Sequence, residues 1–370
     1  MRPEIQSDDK IEIREATELD NEALLSLTRA TPMGGKIALR IDREPDFFRL
    51  LRARGEAIVY VATHEGVIIG CLSAAVHVAY VRGALEKIAH VGDMKVHPQF
   101  RGRGITLRLI GVLQVRLQAE CVDVCFSLVA DGNKPVMTIA EGKHGTPAQV
   151  QLGRFFVEQL IPSPFAGRSK KYAIERAAEQ DLKSIVTILD QVSRDRNFSP
   201  RITVEEIREC AQRDHSAPFC AVLVARDGGR IVATLTVDDT RNFRQNVLVG
   251  LPSALRILLL VLRVLTFPIP GFNVPRLDAE LPMLYVRYLG CKAGHEEALR
   301  ALLSQARKLA YEQRVTFLSL GLHERDPMRP VVDGILRFTF TSRSMATSAI
   351  TPERVKTLVD LIPYEDFALV

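Results

Sequence analysis

The residues best equipped for chemistry lie in one run, Arg101, Gly102, Arg103, Gly104, Ile105 and Thr106. A strand-like stretch ending at Val96 precedes it, and a stretch bearing Ile110, Leu113 and Leu117 at helical spacing follows. Two glycines let a backbone curl with its N–H groups converging, and a helix beginning directly afterwards adds partial positive charge. Such a bend binds phosphate, and Arg101 and Arg103 add charge-assisted contacts to a phosphorylated ligand. The spacing is not that of the nucleoside-triphosphate loop, which needs Lys followed by Ser or Thr. Nor is it the dinucleotide fingerprint, because no third glycine follows Gly104 at the required place.

The elements that position this loop occur twice. Ile13, Ala16, Glu18 and Asp20 recur 161 positions on as Ile174, Ala177, Glu179 and Asp181, and Val59, Val61, Ala62 and Gly66 recur 163 positions on. Met94, Val96 and Gly104 match Leu284, Val286 and Gly294 at 190, so 27 extra residues fall between Ala233 and Leu284. The pattern predicts two copies of one mixed α/β domain, 11–165 and 171–350, joined by a Pro, Ser and Gly-rich stretch that includes Ala166, with a tail over 351–370. Each copy reads as a strand near Ile11, a helix capped by Thr17 and Asp20, a hairpin turning at Glu65 and Gly66, the strand from His90 to Val96, the loop and its helix, a strand over Val122–Val129 and a helix opened by Pro135.

At this point the run Val96, Pro98, Arg101, Gly102, Gly104, Ile105 resembles the acetyl-coenzyme A loop of the GCN5-related N-acetyltransferases. The family pattern R-x-x-G-x-G/A starts at Arg101 and reaches Gly104, with Thr106 where Gly or Ala is usual. An overlapping register from Gln99 through Gly102 to Gly104 satisfies the pattern literally but sets the glycines two positions early relative to Val96 and Pro98, and the first register is preferred. The resemblance implies two tandem domains of that family, each a mixed, mostly antiparallel sheet with a splayed central strand pair flanked by helices. It implies acetyl transfer from acetyl-coenzyme A to a primary amine by direct attack. The thioester contacts fall to backbone groups at Met94, Lys95 and Val96, and the pyrophosphate to residues Arg101, Gly102, Arg103, Gly104, Ile105 and Thr106. The family's general base commonly lies on the strand before the loop, which here offers His90, then Asp93, then Glu86. His90 titrates near neutrality and shares a strand face with Met94 and Val96. Asn133 matches a coenzyme contact or is a simple helix cap. The tyrosine acid expected seven residues beyond it falls on Ala140, so that donor is missing. In the second copy Cys291, Lys292 and Ala293 stand against Arg101, Gly102 and Arg103, and Glu296 and Glu297 open the helix with the wrong charge for a phosphate. One working site, in the first copy, is expected. The acceptor, a small amine or a protein amine, is left to variable loops such as 33–41, with Lys36. Two rivals stay open: a non-catalytic acyl-coenzyme A sensor, and an acyltransferase for a lipophilic amine.

Composition closes other classes. Lys and Arg number 49 against 44 Asp and Glu, a net +5 too modest and dispersed for a nucleic-acid binder. Six cysteines without C-x-x-C and eight histidines without H-x-x-x-H predict neither a zinc site nor a disulfide framework, and hence no metal and a reducing compartment. Cys121 and Cys125 read as core fillers on one strand face, and His323 to Asp326 as a solvated corner. The first thirty residues lack a signal-peptide core, which predicts a cytoplasmic protein. An apolar helix near 252–267, running into Phe267 and stopped by Pro268, Pro270 and Gly271, is too short to span a bilayer. Its stripe is open to core or homodimer packing, to lining a lipophilic pocket, or to membrane-surface contact.

Overall fold

Strands form where branched and aromatic residues cluster between turn signals, and helices where the apolar period changes from two to about four. The computed structural model describes residues 10–35, 37–143, 146, 148–165, 167, 169–213, 218–266 and 273–370; Lys36, Ala166, Phe267, Pro268, Pro270 and Gly271 lie outside them. The first half runs β1 (Ile11–Glu15), α1 (Asn21–Ala30), β2 (Ala38–Asp42), α2 (Arg49–Arg52), β3 (Glu56–His64), β4 (Val67–Val81), β5 (Ala84–Val96), α3 (Ile105–Ala119), β6 (Val124–Ala130), α4 (Lys134–Ala140) and β7 (Val150–Leu160). The second runs β8 (Ala173–Arg176), α5 (Leu182–Arg194), β9 (Arg196–Asn197), α6 (Val204–Gln212), β10 (Cys220–Asp227), β11 (Arg230–Asp238), β12 (Gln245–Gly250), α7 (Ser253–Thr266), β13 (Ala279–Glu280), β14 (Met283–Cys291), α8 (Glu296–Glu312), β15 (Phe317–His323) and β16 (Arg337–Ser348), followed by α9 (Pro352–Lys356) and β17 (Ile362–Pro363).

Twelve strands form one sheet in the order β1-β3-β4-β5-β6-β16-β7-β15-β14-β11-β10-β8. Read inward from either edge, the two halves present equivalent strands in the same order. At the centre they exchange: β16 lies against β6 and β7 against β15, while β16 and β7 pair with each other. All these ladders are antiparallel except β5 with β6 and β14 with β15. Helix α3 buries Ile105, Leu109, Leu113 and Leu117, four residues apart, on the first half of the sheet. Helix α8 does the same in the second half, where Ala298, Ala306 and Ala310 among its leucines let it lie close.

The hairpin turn at Glu65 and Gly66 has φ of 52° and 80°, the positive pair a two-residue turn needs, and Gly228 and Gly229 repeat it at 55° and 81°. The box of Thr17 and Asp20 is present, closing a 3-10 turn ahead of α1. Three features differ from expectation. Strands β4 and β5 are far longer than the stretches read from sequence, because Arg82 and Gly83 form a further turn at φ 53° and 79°. Cys121 is exposed at φ 56° in the turn before β6 rather than beside Cys125 on the strand. The corner at His323 to Asp326 is only partly solvated: Arg325 is exposed and Glu324 half-buried, but His323 is buried, and Asp326 forms a buried ion pair with Arg196 at 2.9 Å. A second sheet, β13-β12-β2, joins the halves, and Glu44 and Gln245 exchange two 3.0 Å hydrogen bonds at its end.

Candidate active site

Strand β5 carries the site because it is paired on only part of its length. It meets β6 at Ile88, Ala89 and His90, opposite Val124, Cys125 and Phe126, and the ladder stops there. From Val91 to Val96 the two strands diverge, and every residue of that stretch is half-buried. On its other side β5 slips register against β4 between Cys71 and Ser73, a bulge that sets Asp93 at φ 51°. Bulge and splay together open a slot whose wall is the backbone of Met94, Lys95 and Val96.

The slot leads to the arginine loop. Gly102 and Gly104 have φ of 82° and 72°, and a Cβ added at either meets nothing within 4 Å, so the loop is open to an incoming group. Gly104 caps α3 with no side chain, and the first turn holds no acidic residue. The first N–H groups of α3 therefore lack a carboxylate partner. Arg101 donates to the Val96 carbonyl at 3.3 Å, and Arg103 lies 5.1 Å over the Phe100 ring. Thr106 is in the first turn of α3, and Asn133 caps α4 by accepting from Val136 N–H at 3.5 Å. Ala140 is buried at the end of α4.

His90 sits where the ladder ends. It is buried, edge-on to Phe126 with ring centroids 5.9 Å apart, and its Nε2 is 3.0 Å from Glu365 Oε2, outside hydrogen-bond angles. Burial, then the Arg54 charge, lower the His90 pKa despite Glu365, so the ring is neutral at pH 7. Burial pushes Glu365 up, but Arg54, donating to its Oε1 at 2.6 Å, and His90 outweigh that and hold it at about 2. Asp93 is equally committed: burial raises it, while Arg43 at 2.7 Å, Lys95 at 3.4 Å and the Ser73 hydroxyl at 2.7 Å bring it to about 2. Glu86 pairs with Arg354, and at seven residues from Asp93 it is roughly 23 Å away along the strand. The expected shared face of His90 with Met94 and Val96 is not found. The bulge shifts the alternation, so Met94 and Val96 pack with Val91 on one face of β5 while His90 and Asp93 lie on the other, toward Phe126 and Ser73. His90 lies at the vertex where β5 and β6 part, and Glu86 lies away from it.

Sequence reasoning missed Glu365, Arg54 and Arg43. Glu365 lies in the segment read as a tail. The only signal was its apolar company, Ile362, Pro363, Tyr364 and Phe367, which a solvated tail would not carry.

The second half has the same bulge, with Tyr288 at φ 49° and a slip between Thr234 and Thr236, and β14 likewise leaves β15 after Tyr285. The bulges align Asp93 with Tyr288 and Val96 with Cys291, an offset of 195 in place of the 190 read from sequence. Cys291 thus ends the strand, and four residues replace the eight between β5 and α3. Glu296 accepts from Gly294 N–H at 3.1 Å, filling with a carboxylate the position that the first loop leaves open. The opening between β14 and β15 is covered by residues 363–367, leaving a cavity of about 30 Å³, room for one water. Phe367 lies on Gly321, Asp366 pairs with Arg287 at 2.7 Å, and Arg244 donates to the Phe367 carbonyl at 2.6 Å.

Elsewhere Cys210, Cys220 and Asp238 place three ligand atoms within 4.8 Å of one another. Arg213 and Arg287 both pair with Asp238, which takes up the charge a cation would need. Among the described residues no helix is long and apolar enough to cross a membrane.

Comparison with known proteins agrees with this geometry. The sequence pattern of the Acetyltransferase (GNAT) family matches residues 22–141. No curated protein matches the chain in sequence. Among solved structures, the chain is similar to a tandem GNAT protein from the clavulanic acid biosynthesis pathway, at 12% identity and TM-score 0.56, covering 92% of this chain and 99% of that one. A GCN5-related N-acetyltransferase from Sphaerobacter thermophilus gives 12% and 0.56 over 92% and 96%. Saccharomyces cerevisiae N-myristoyltransferase with bound myristoyl-CoA gives 12% and 0.60 over 91% and 78%. Identities this low speak for the fold alone. Residues 22–141 therefore carry the pattern of the acetyltransferase (GNAT) family, and the mixed, mostly antiparallel fold of the chain is that of the GNAT proteins it is similar to.

Proposed function

We propose that the protein is an N-acyltransferase that takes an acetyl group from acetyl-coenzyme A to a primary amine in the slot of the first half, and that the second half binds no coenzyme. The observation that carries this reading is the contrast between two equivalent openings: one bare with an uncapped loop, the other shortened, capped by Glu296 and covered by residues 363–367. The pyrophosphate falls to Gly102, Gly104, the first turn of α3 and the two loop arginines, and the thioester carbonyl to the N–H groups of 94–96.

The amine nitrogen attacks the carbonyl carbon, the C–S bond breaks with its electron pair on sulfur, and the amine proton passes to His90. Neutral at pH 7, His90 is able to accept it, and the Glu365 carboxylate stabilises the imidazolium that results. Asp93 is a positioning residue in this scheme, because a carboxylate held at about 2 by Arg43, Lys95 and Ser73 is too weak a base and fixes the bulge instead.

A second reading, coenzyme binding without transfer, is favoured by Ala140 at the site of the expected proton donor. Calorimetry with acetyl-coenzyme A, followed by free-thiol release over a panel of amines and acyl chain lengths, separates the two. Gly104→Glu is expected to abolish binding and Gly294→Glu to leave it intact. Equal loss from both, or no heat with the unaltered chain, refutes the single-site assignment; heat without thiol release across the panel selects the second reading.

A further inference from the structure

We infer that α7 is a docking helix for an anionic lipid surface, an inference that rests on α7 alone and not on the proposed reaction. Helix α7 interrupts the second half between β12 and β13, and its apolar side is not packed. Ile257, Leu258, Leu260, Val261, Val264 and Leu265 are between 49 and 76% exposed, and among the described residues nothing covers them. At 100° per residue they sweep an arc of roughly 160°. Arg256 and Arg263 fall together just past one border of that arc. Their stems are tied down, Arg256 Nε donating to the Leu251 carbonyl at 3.0 Å and Arg263 Nη2 to the Pro275 carbonyl at 3.1 Å.

Charge selects the occupant. From 245 to 277 the sequence holds three arginines, at 256, 263 and 276, and no carboxylate, in a chain that otherwise balances 49 basic residues with 44 acidic ones. A helix of 14 residues is about 21 Å long, so it lies in a membrane interface rather than crossing one. A convex ridge of that length offers a flat rigid partner only about 200 Å² of footprint, against the roughly 800 Å² per partner of a stable dimer. A fluid surface wraps the whole arc while its anionic headgroups meet the arginines at the border. Of the packings the sequence left open for this stripe, burial in the core is not the one observed, since these side chains are exposed.

The chain has no tryptophan, so Val261→Trp places a single reporter at the centre of the arc. Vesicles of phosphatidylcholine with one quarter phosphatidylglycerol are expected to shift its emission to the blue and to pellet the unaltered chain at least tenfold more tightly than phosphatidylcholine alone. The triple variant Leu258→Ser, Val261→Ser, Leu265→Ser is expected to lose that binding tenfold or more with its melting temperature unchanged, since all three side chains are exposed, and Arg256→Glu to lose the preference for the anionic lipid. An unshifted reporter, a triple variant that pellets as the unaltered chain does, or a dimer in sedimentation velocity that the triple variant dissolves would each overturn the inference, the last in favour of a second copy.

Discussion

Replacing Glu365 by Gln tests the proposed base directly, because it removes one charge and almost no volume. The carboxylate oxygen and His90 Nε2 are 3.0 Å apart, and two unit charges at that distance and an effective dielectric of about 20 interact by about 5 kcal/mol. The imidazolium charge is shared with the far nitrogen, which brings the figure to about 3 kcal/mol. That stabilisation exists only when His90 carries the proton, in the transition state. Losing it slows transfer about 100-fold at 1.36 kcal/mol per decade. The sign of the pH effect also follows. Glu365 raises the His90 pKa against burial and Arg54, so Glu365→Gln moves the acid limb of kcat to lower pH while lowering its plateau. Thiol release measured from pH 5 to 9 reads both, and carbon-proton spectra of the histidine rings follow His90 without needing the right acceptor. A plateau within threefold of the unaltered enzyme, with its acid limb unmoved and coenzyme still bound, refutes the role of the pair.

Two further outcomes are expected. A Cβ at Gly321 lies 1.9 Å from the Phe367 ring, so Gly321→Ala must displace residues 363–367. An overpacking cost of about 1–3 kcal/mol lowers the melting temperature by about 2–6 °C, and transfer falls as in Glu365→Gln; unchanged melting and turnover contradict the packing described. Stability should also fall in two stages on acidification. His77 and His323, held near 4 chiefly by burial, and His90, also lowered, let the unfolded chain take up protons first below the ordinary histidine value of 6.5. Asp93 and Glu365, both held at about 2, stabilise the fold above the ordinary carboxylate value and give that stability up as pH falls below about 4.5. A melting temperature flat from pH 7 to 4.5 would contradict the burial of three neutral histidines.

Much of the first half was legible because its signals are local. A turn needing two positive φ values selects Glu65 and Gly66, and a loop open to phosphate selects Gly102 and Gly104, whatever lies elsewhere in the chain. The second half misled where residue matches replaced geometry. Leu284 and Val286 resemble Met94 and Val96 in type, but a loop four residues shorter moves the true partners to Leu289 and Cys291. Pairing across the centre of the sheet was not readable at all. Strands β7 and β16 have the same alternating pattern whichever neighbour they take, because the pattern fixes which face is buried and not which strand lies beside it. Glu365 was hidden for the same reason: its partners, His90 and Arg54, are more than 270 positions away and nothing in its neighbourhood encodes them.

The exchange of strands gives the second half a structural part in the sheet that does not depend on its own loop. Once β16 completes the sheet beside β6, and β12 holds β2, the first slot depends on residues of the second half for its walls. The opening between β14 and β15 would expose apolar residues of both strands, a cost that a bound ligand or another part of the chain must offset. Residues 363–367 meet it with Phe367 on Gly321 and Asp366 on Arg287. Seated there, the same segment is carried across the centre of the sheet, so that Glu365 faces Arg54 and His90. Covering one opening and placing a carboxylate at the vertex of the other are therefore a single packing event, and a change that reopens the second should be felt at His90.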